Sequence, residues 1–359
     1  MNLIENRIIR RVVSGAISVA SVITTAAIPA SSRASEVQPA PITDTQHQGN
    51  QDFKARYAIF VSGYNSSLSV QEANSANDPD SMLNDFSFGP VLQRIKENPT
   101  NNLFIGPTIR YSYAGSTTTS FDDGRANYQP RPYEAGQTHQ DIDISVNELK
   151  DLIEQRKDRQ NIPLYGNGSV IAYASGEHYD LVGYSLGALV IWKYLMENVL
   201  PEEGIHKNGV ILRVLLLAPP LNGVPHETTT TWAQSAGAIQ FQTDASNPVT
   251  QYISALGSDP EKRAFTTATN TQAANFLRER RNLRLAIMTN RDDCWIPPES
   301  ANIQGFTLFL NLGRGPNGIL NCDTLSLLSV PFLPGRQDEN VGHRQILTNA
   351  LVEVGNFIG

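Results

Sequence analysis

Cysteine is scarce in this chain of 359 residues: there are two, Cys294 and Cys322. That rules out a C-x-x-C metal or redox pair, and H-E-x-x-H is missing as well. The sequence therefore calls for no metal and no cofactor. Excess positive charge is also missing. Lys and Arg number 28 against 35 Asp and Glu, a net charge of -7. No basic stripe exists for a nucleic-acid partner, and Arg278-Glu279-Arg280-Arg281 reads as the solvated end of a helix. Long apolar runs are missing beyond the N-terminus, so no later segment is long enough to span a bilayer.

The one long apolar, small-residue run is Val12 to Ile28, and Arg7, Arg10 and Arg11 precede it. Ser32 and Ala34 then form a plausible cleavage site. Residues 1–34 read as a signal peptide, and the protein as secreted. The same segment left uncleaved would be a membrane anchor, which is the alternative. No cysteine stands nearby to carry a lipoprotein anchor. Residues 35–52 are polar, carry Pro39, Pro41 and Gly49, and read as a flexible leader. Residues 53–359 are then the folded domain. In an exported chain the two cysteines can pair, so Cys294–Cys322 is a candidate disulfide; two free thiols are the alternative.

What the chain does have is concentrated in His178 to Trp192, HYDLVGYSLGALVIW. Leu181 and Val182 lie in an apolar run. Gly183-Tyr184-Ser185-Leu186-Gly187 follows, and then apolar residues recur at helical spacing. Strand, sharp turn and helix with serine at the apex is the pattern of a nucleophile elbow. Side chains at Gly183 or Gly187 would collide with the neighbouring strand or helix. The helix begins directly behind Ser185, so N–H groups point where negative charge would develop.

Other apolar runs supply further buried strands. Tyr57 to Ser62 ends in Ser62-Gly63-Tyr64, where the N–H of Tyr64 is a candidate oxyanion donor. A strand is expected within Leu103 to Tyr113, with Tyr111 and Tyr113 packed or lining a pocket. Ala114 to Pro132 reads as a long loop. Helices are expected in Ser87 to Glu97 and in Thr138 to Arg156, the second capped by Thr138, with His139 simply exposed. Val210 to Ala218 and Leu283 to Thr289 are two more strands. Between them, Val224 to Arg281 spans about 58 residues, too long for an ordinary crossover. It reads as an inserted helical cap, residues 224–281, with helical patterns at Val249 to Leu256 and Thr271 to Arg280.

Asn290-Arg291-Asp292-Asp293 follows the Leu283 strand. An acid at the C-terminal end of a parallel strand is suited to orient a histidine. Asp293 is the candidate, with Asp292 in reserve. Of six histidines only His343, in Val341-Gly342-His343-Arg344, follows Asp293, so chain order selects it as the base. Gly313 to Gly318 matches G-x-G-x-x-G letter for letter, but Pro316 removes an N–H a phosphate would need. It reads as a turn.

Together IFVSGY, LVGYSLGALV, LLLAPPLNGV, DDCWIP and VGHRQIL resemble the α/β-hydrolase superfamily, and within it the lipases and esterases, over Tyr57 to Gly359. The resemblance implies an α/β fold with a mostly parallel central sheet flanked by helices. It implies an ester hydrolase with Ser185 as nucleophile, His343 as base, Asp293 as orienting acid, and the N–H groups of Tyr64 and Leu186 as oxyanion hole. The substrate would be a small-molecule or lipid ester, with transient contact to a lipid surface. Acyl transfer and thioester cleavage use the same set, and a non-catalytic binding protein on this scaffold is the rival from another class. Two positions depart from many relatives: Ser62 where histidine is common, and Tyr184 where histidine often precedes the nucleophile. No counterpart is evident for Pro298 to Asp338, so the strand expected before His343 is in doubt.

Overall fold

Alternation along the apolar strands decides the architecture. In β1 (Lys54–Val61), Ile59 and Val61 enter one buried cluster while Ala58 and Phe60 enter another. A strand buried on both faces belongs in the middle of a covered parallel sheet. The computed structural model describes residues 54–74, 88–89, 108–119, 127–157, 162–166, 169–201, 210–224, 247–257, 259–281, 283–293, 295–312 and 343–349. All lie in one compact unit, Gln51–Gly359. The signal and leader segments, nearly all of Ser87 to Glu97, Cys294, Cys322 and the turn at Gly313 to Gly318 lie outside the described residues.

After β1 come α1 (Val70–Asn74), β2 (Thr108–Arg110), and an antiparallel ribbon of β3 (Ser116–Thr119) and β4 (Asn127–Pro130). This ribbon occupies the stretch expected to be loop. A 3-10 turn (Ala135–His139) leads to α2 (Ile142–Lys157). That helix starts four residues later than expected. Thr138 is not its cap: its hydroxyl donates to Ala135 O and accepts from Asn65 N. Asp141 caps instead, its Oδ1 accepting from Asp143 N at 3.0 Å.

A second ribbon follows, β5 (Ile162–Gly166) and β6 (Ser169–Ala174), and then β7 (Gly176–Tyr184) and α3 (Leu186–Tyr194), which continues as a π-helical turn, Leu195–Val199. Next are β8 (Ile211–Leu217), α4 (Pro248–Leu256), α5 (Pro260–Arg281) and β9 (Arg284–Asn290). A 3-10 turn (Pro298–Ala301), β10 (Thr307–Leu310) and α6 (Gln345–Asn349) complete the order.

β10, β9, β8, β7, β1 and β2 form a six-stranded sheet in that spatial order, every pair parallel. The parallel sheet flanked by helices is the architecture expected. β10 supplies a strand between Pro298 and Asp338, where none was evident. The order reverses at β1: later strands add on the β7 side and β2 on the other. Ligands of open α/β sheets bind at such a reversal, beyond the carboxyl ends of the strands.

One sheet face packs Ile59, Val61, Leu181, Val214, Leu216 and Ile287 against the apolar stripes of α2, α3 and α5. The other packs Phe60, Val182, Leu215, Leu217 and Met288 against Phe88, Ile346 and Leu347. Of the candidate cap, α5 lies on the first face, where Ala273, Ala274 and Leu277 are buried. A buried amide chain fixes it there. Trp192 Nε1 donates to Asn270 Oδ1 at 3.0 Å, and Asn270 Nδ2 donates to Asn222 Oδ1 at 3.0 Å. Asn222 Nδ2 then donates to the carbonyls of Glu299 and Asn302. Residues 225–246 lie outside the described residues. Arg281 is not merely solvated: its guanidinium donates to Val199 O and Pro201 O, satisfying carbonyls at the end of the π-helical turn.

Candidate active site

β7 ends at Tyr184 and α3 begins at Leu186, leaving Ser185 as the whole turn. Its backbone sits at φ 54°, ψ -120°, a conformation a non-glycine residue adopts only when its surroundings impose it. Those surroundings are specific. Ser185 N donates to Leu217 O at 2.8 Å, extending the β7–β8 ladder one residue past the strand. Ser185 O then accepts from Ala188 N and Leu189 N, starting the helix. The glycines behave as their spacing implied. A Cβ on Gly183 would lie 2.6 Å from Ala188 Cα, and one on Gly187 would lie 2.1 Å from Val61 O. Both glycines let α3 close onto the sheet.

The same crowding brings the loop after β1 to the serine. A Cβ on Gly63 would lie 3.0 Å from Ser185 Cβ and 3.1 Å from Tyr184 Cδ1. Tyr64 follows directly. Leu186 is the first residue of α3, where N–H groups have no intrahelical acceptor. Leu186 follows Ser185 in the chain, and Tyr64 follows Gly63, which packs against Ser185.

Asp293 and His343 meet. His343 Nδ1 lies 2.6 Å from Asp293 Oδ2, and the two side chains are 1% and 0% exposed. Oδ1 of the same carboxylate accepts from Trp295 N at 2.8 Å and Ile296 N at 3.0 Å. The acid is therefore anchored on one oxygen and offers the other to the imidazole. Asp292, the reserve, is only half-buried, with its N–H on Asn290 Oδ1. Asn290 is a site residue that sequence reasoning passed over. Fully buried, its Oδ1 also accepts from Leu312 N, which shapes the turn that delivers Asp293.

The Tyr184 ring packs 4.9 Å from the His343 ring. Trp295 meets the same imidazole edge-on at 5.5 Å. His343 thus contacts two aromatic rings, one of them on the residue that precedes Ser185. Its Nε2, the nitrogen facing away from Asp293, is buried and makes no hydrogen bond among the described residues. Ser185 itself is 7% exposed.

His139, expected to be exposed, is half-buried and stacks on Tyr64 with ring centroids 4.7 Å apart and planes 17° apart. Tyr111 and Tyr113 are packed rather than pocket-lining. Tyr113 donates to Ser62 O at 2.7 Å, supporting the loop from behind. Burial, with Tyr111 and Tyr133 alongside, raises the Tyr113 phenol well above its ordinary value, so it stays a donor. Among the described residues no group of His, Cys, Asp and Glu is arranged to hold a metal ion.

The six-stranded parallel sheet flanked by helices, with Ser185 in the turn after a central strand, is an α/β-hydrolase-like fold. No protein-family model matches the chain, and no curated protein matches its sequence. Several solved structures are similar to it. One is a metagenomic carboxyl esterase, at 12% identity and TM-score 0.35, covering 89% of this chain and 81% of that one. A lipase-esterase related protein from Clostridium acetobutylicum is another, at 10% identity and TM-score 0.34, covering 86% and 96%. A third is an esterase from Exiguobacterium antarcticum, at 14% identity and TM-score 0.31, covering 72% and 83%. Similarity of this order does not transfer a substrate.

Proposed function

We propose that the protein is a secreted serine hydrolase of carboxylic esters. The observation that carries this reading is the buried Asp293–His343 pair, whose imidazole packs on Tyr184, the residue preceding a serine held at a left-handed turn. Ser185 Oγ attacks the ester carbonyl, and its proton passes to His343 Nε2, the nitrogen left without a hydrogen bond among the described residues. Asp293 keeps the other ring proton on Nδ1 and stabilises the imidazolium. The N–H groups of Leu186 and Tyr64 hold the oxyanion, each worth on the order of a hundred-fold in rate. Collapse of the tetrahedral adduct breaks the ester C–O bond, and His343 returns its proton to the departing alcohol. Water, activated by the same base, then releases the acid and restores Ser185. Apolar residues in a cap would suit an acyl chain or another apolar ester.

Hydrolysis of p-nitrophenyl esters of graded chain length, beside Ser185→Ala, tests the reading. Turnover that vanishes in the variant supports it, and equal rates with and without the serine refute it. Added alcohol acceptors separate hydrolysis from acyl transfer by product. Export is tested by the mass of the protein recovered outside the cell: loss of residues 1–34 is expected, and an intact N-terminus would mean an anchor.

A further inference from the structure

The oxyanion donor assigned to Tyr64 is a backbone group on a loop of Ser62-Gly63-Tyr64-Asn65-Ser66, so something must fix that loop. Gly63 gives it no side chain to limit rotation. Asn65 sits at φ 58°, a left-handed conformation that asparagine adopts more readily than most residues.

The neighbours come from two distant stretches. From the turn before α2, Thr138 Oγ1 accepts from Asn65 N at 3.0 Å. His139 Nε2 lies 2.6 Å from Asn65 Oδ1, a contact that requires the proton on Nε2. The same His139 ring stacks flat on the Tyr64 ring. From the segment before α4, Asn247 Nδ2 donates to the Tyr64 hydroxyl at 2.8 Å, across 183 positions of sequence. Asn247 is also the cap of α4, its Oδ1 accepting from Thr250 N at 2.9 Å. One amide therefore joins a helix of the β8–β9 crossover to the loop that carries the donor.

We infer that His139 and Asn247 are positioning residues that act through Tyr64 and Asn65 to aim the Tyr64 N–H at the reacting oxygen. The inference rests on the ester-hydrolase reading above. A donor that counts chiefly in the transition state lowers kcat when it is displaced and leaves KM nearly unchanged. Displacements well under 1 Å are worth about tenfold in rate, and 1 Å about a hundred-fold.

The test uses the full chain and p-nitrophenyl butyrate. Tyr64→Phe removes the hydroxyl and keeps both the ring and the N–H. Asn247→Ser keeps a helix cap but is too short to reach the hydroxyl. Each should lower kcat about tenfold with KM within about twofold, and the double variant should be no slower than either single. His139→Ala should cost about a hundred-fold. His139→Gln, which keeps a donor for Asn65 without the ring, should fall between. Acylation of Ser185 by a fluorophosphonate, followed by mass, should slow in parallel. Unchanged kcat in the folded variants, additive losses in the double, or a rise in KM at constant kcat would each overturn the inference while the hydrolase reading stands. A wild-type protein whose Ser185 is not acylated would overturn both.

Discussion

Gly187→Ala is the sharpest single test of how the elbow is built. The added methyl would stand 2.1 Å from Val61 O and 2.5 Å from Ser62 O. Carbon and carbonyl oxygen approach no closer than about 3.3 Å, so α3 and the end of β1 must separate by about 1 Å. Both colliding partners are backbone, so no rotamer can absorb the clash. Overpacking of this kind costs about 3 kcal/mol, and the better helix propensity of alanine returns about 1 kcal/mol. The net of about 2 kcal/mol lowers Tm by about 4–8 °C. Catalysis suffers more, because the displaced segments carry Ser185 and the Ser62–Tyr64 loop: a shift of about 1 Å is worth about a hundred-fold in kcat. Two controls separate crowding from backbone strain. Gly136 has nothing within 4 Å of an added Cβ, so Gly136→Ala should leave both Tm and rate unchanged. Gly305 is equally open but sits at φ 80°, so Gly305→Ala should cost about 1 kcal/mol of stability and no activity. Differential scanning calorimetry beside ester turnover reads all three. A Gly187→Ala protein with wild-type Tm and kcat would refute the packing argument.

Arg156 and Glu177 form an ion pair buried to 4% and 0% exposure, to which Tyr179 adds a hydroxyl. Arg156→Met should cost about 3–5 kcal/mol in urea unfolding because it strands a buried carboxylate, and adding Glu177→Leu should recover most of that; a double variant as weak as the single would count against it. Burial raises the Glu148 carboxyl above its ordinary value, Asp151 adds to the shift, and Arg131 opposes it. The native state therefore favours the protonated form, and that preference is present at low pH and lost as pH rises through the folded pKa. Glu148→Gln should then raise Tm at neutral pH, with the gain disappearing below the ordinary carboxyl range; a gain that persists at pH 3 would contradict the assignment.

The parts of this molecule that could be read in the sequence are those whose physics is local. β1, β8 and β9 announce themselves as apolar runs because both faces are covered, and β7 shows only its apolar end at Leu181 and Val182. The elbow is legible because glycine at 183 and 187 has a steric cause within a few residues. Asp293 is legible from its place after a strand and His343 from chain order, while the contact that sets Asp293 apart from Asp292 depends on a turn shaped by Asn290. The two antiparallel ribbons were missed because their pairing depends on partners rather than on pattern. The helix at Ile142 was started too early because Thr138 is a fair cap in isolation, and here its hydroxyl serves Asn65 instead. His139 gave no signal: its ring and its nitrogen both engage residues more than 70 positions upstream.

The pairing of β1 with β7 has a kinetic consequence. It brings together residues such as Arg56 and Asp180, 124 positions apart, and the elbow can form only on that foundation. Closing so long a loop must be accomplished before its contacts reward it, which makes such sheets slow to assemble. Helices α2 and α5 draw their turns from near neighbours and can appear first. During refolding from urea, helical circular dichroism should therefore return well ahead of fluorophosphonate labelling at Ser185, making that serine a clock for the last events of folding.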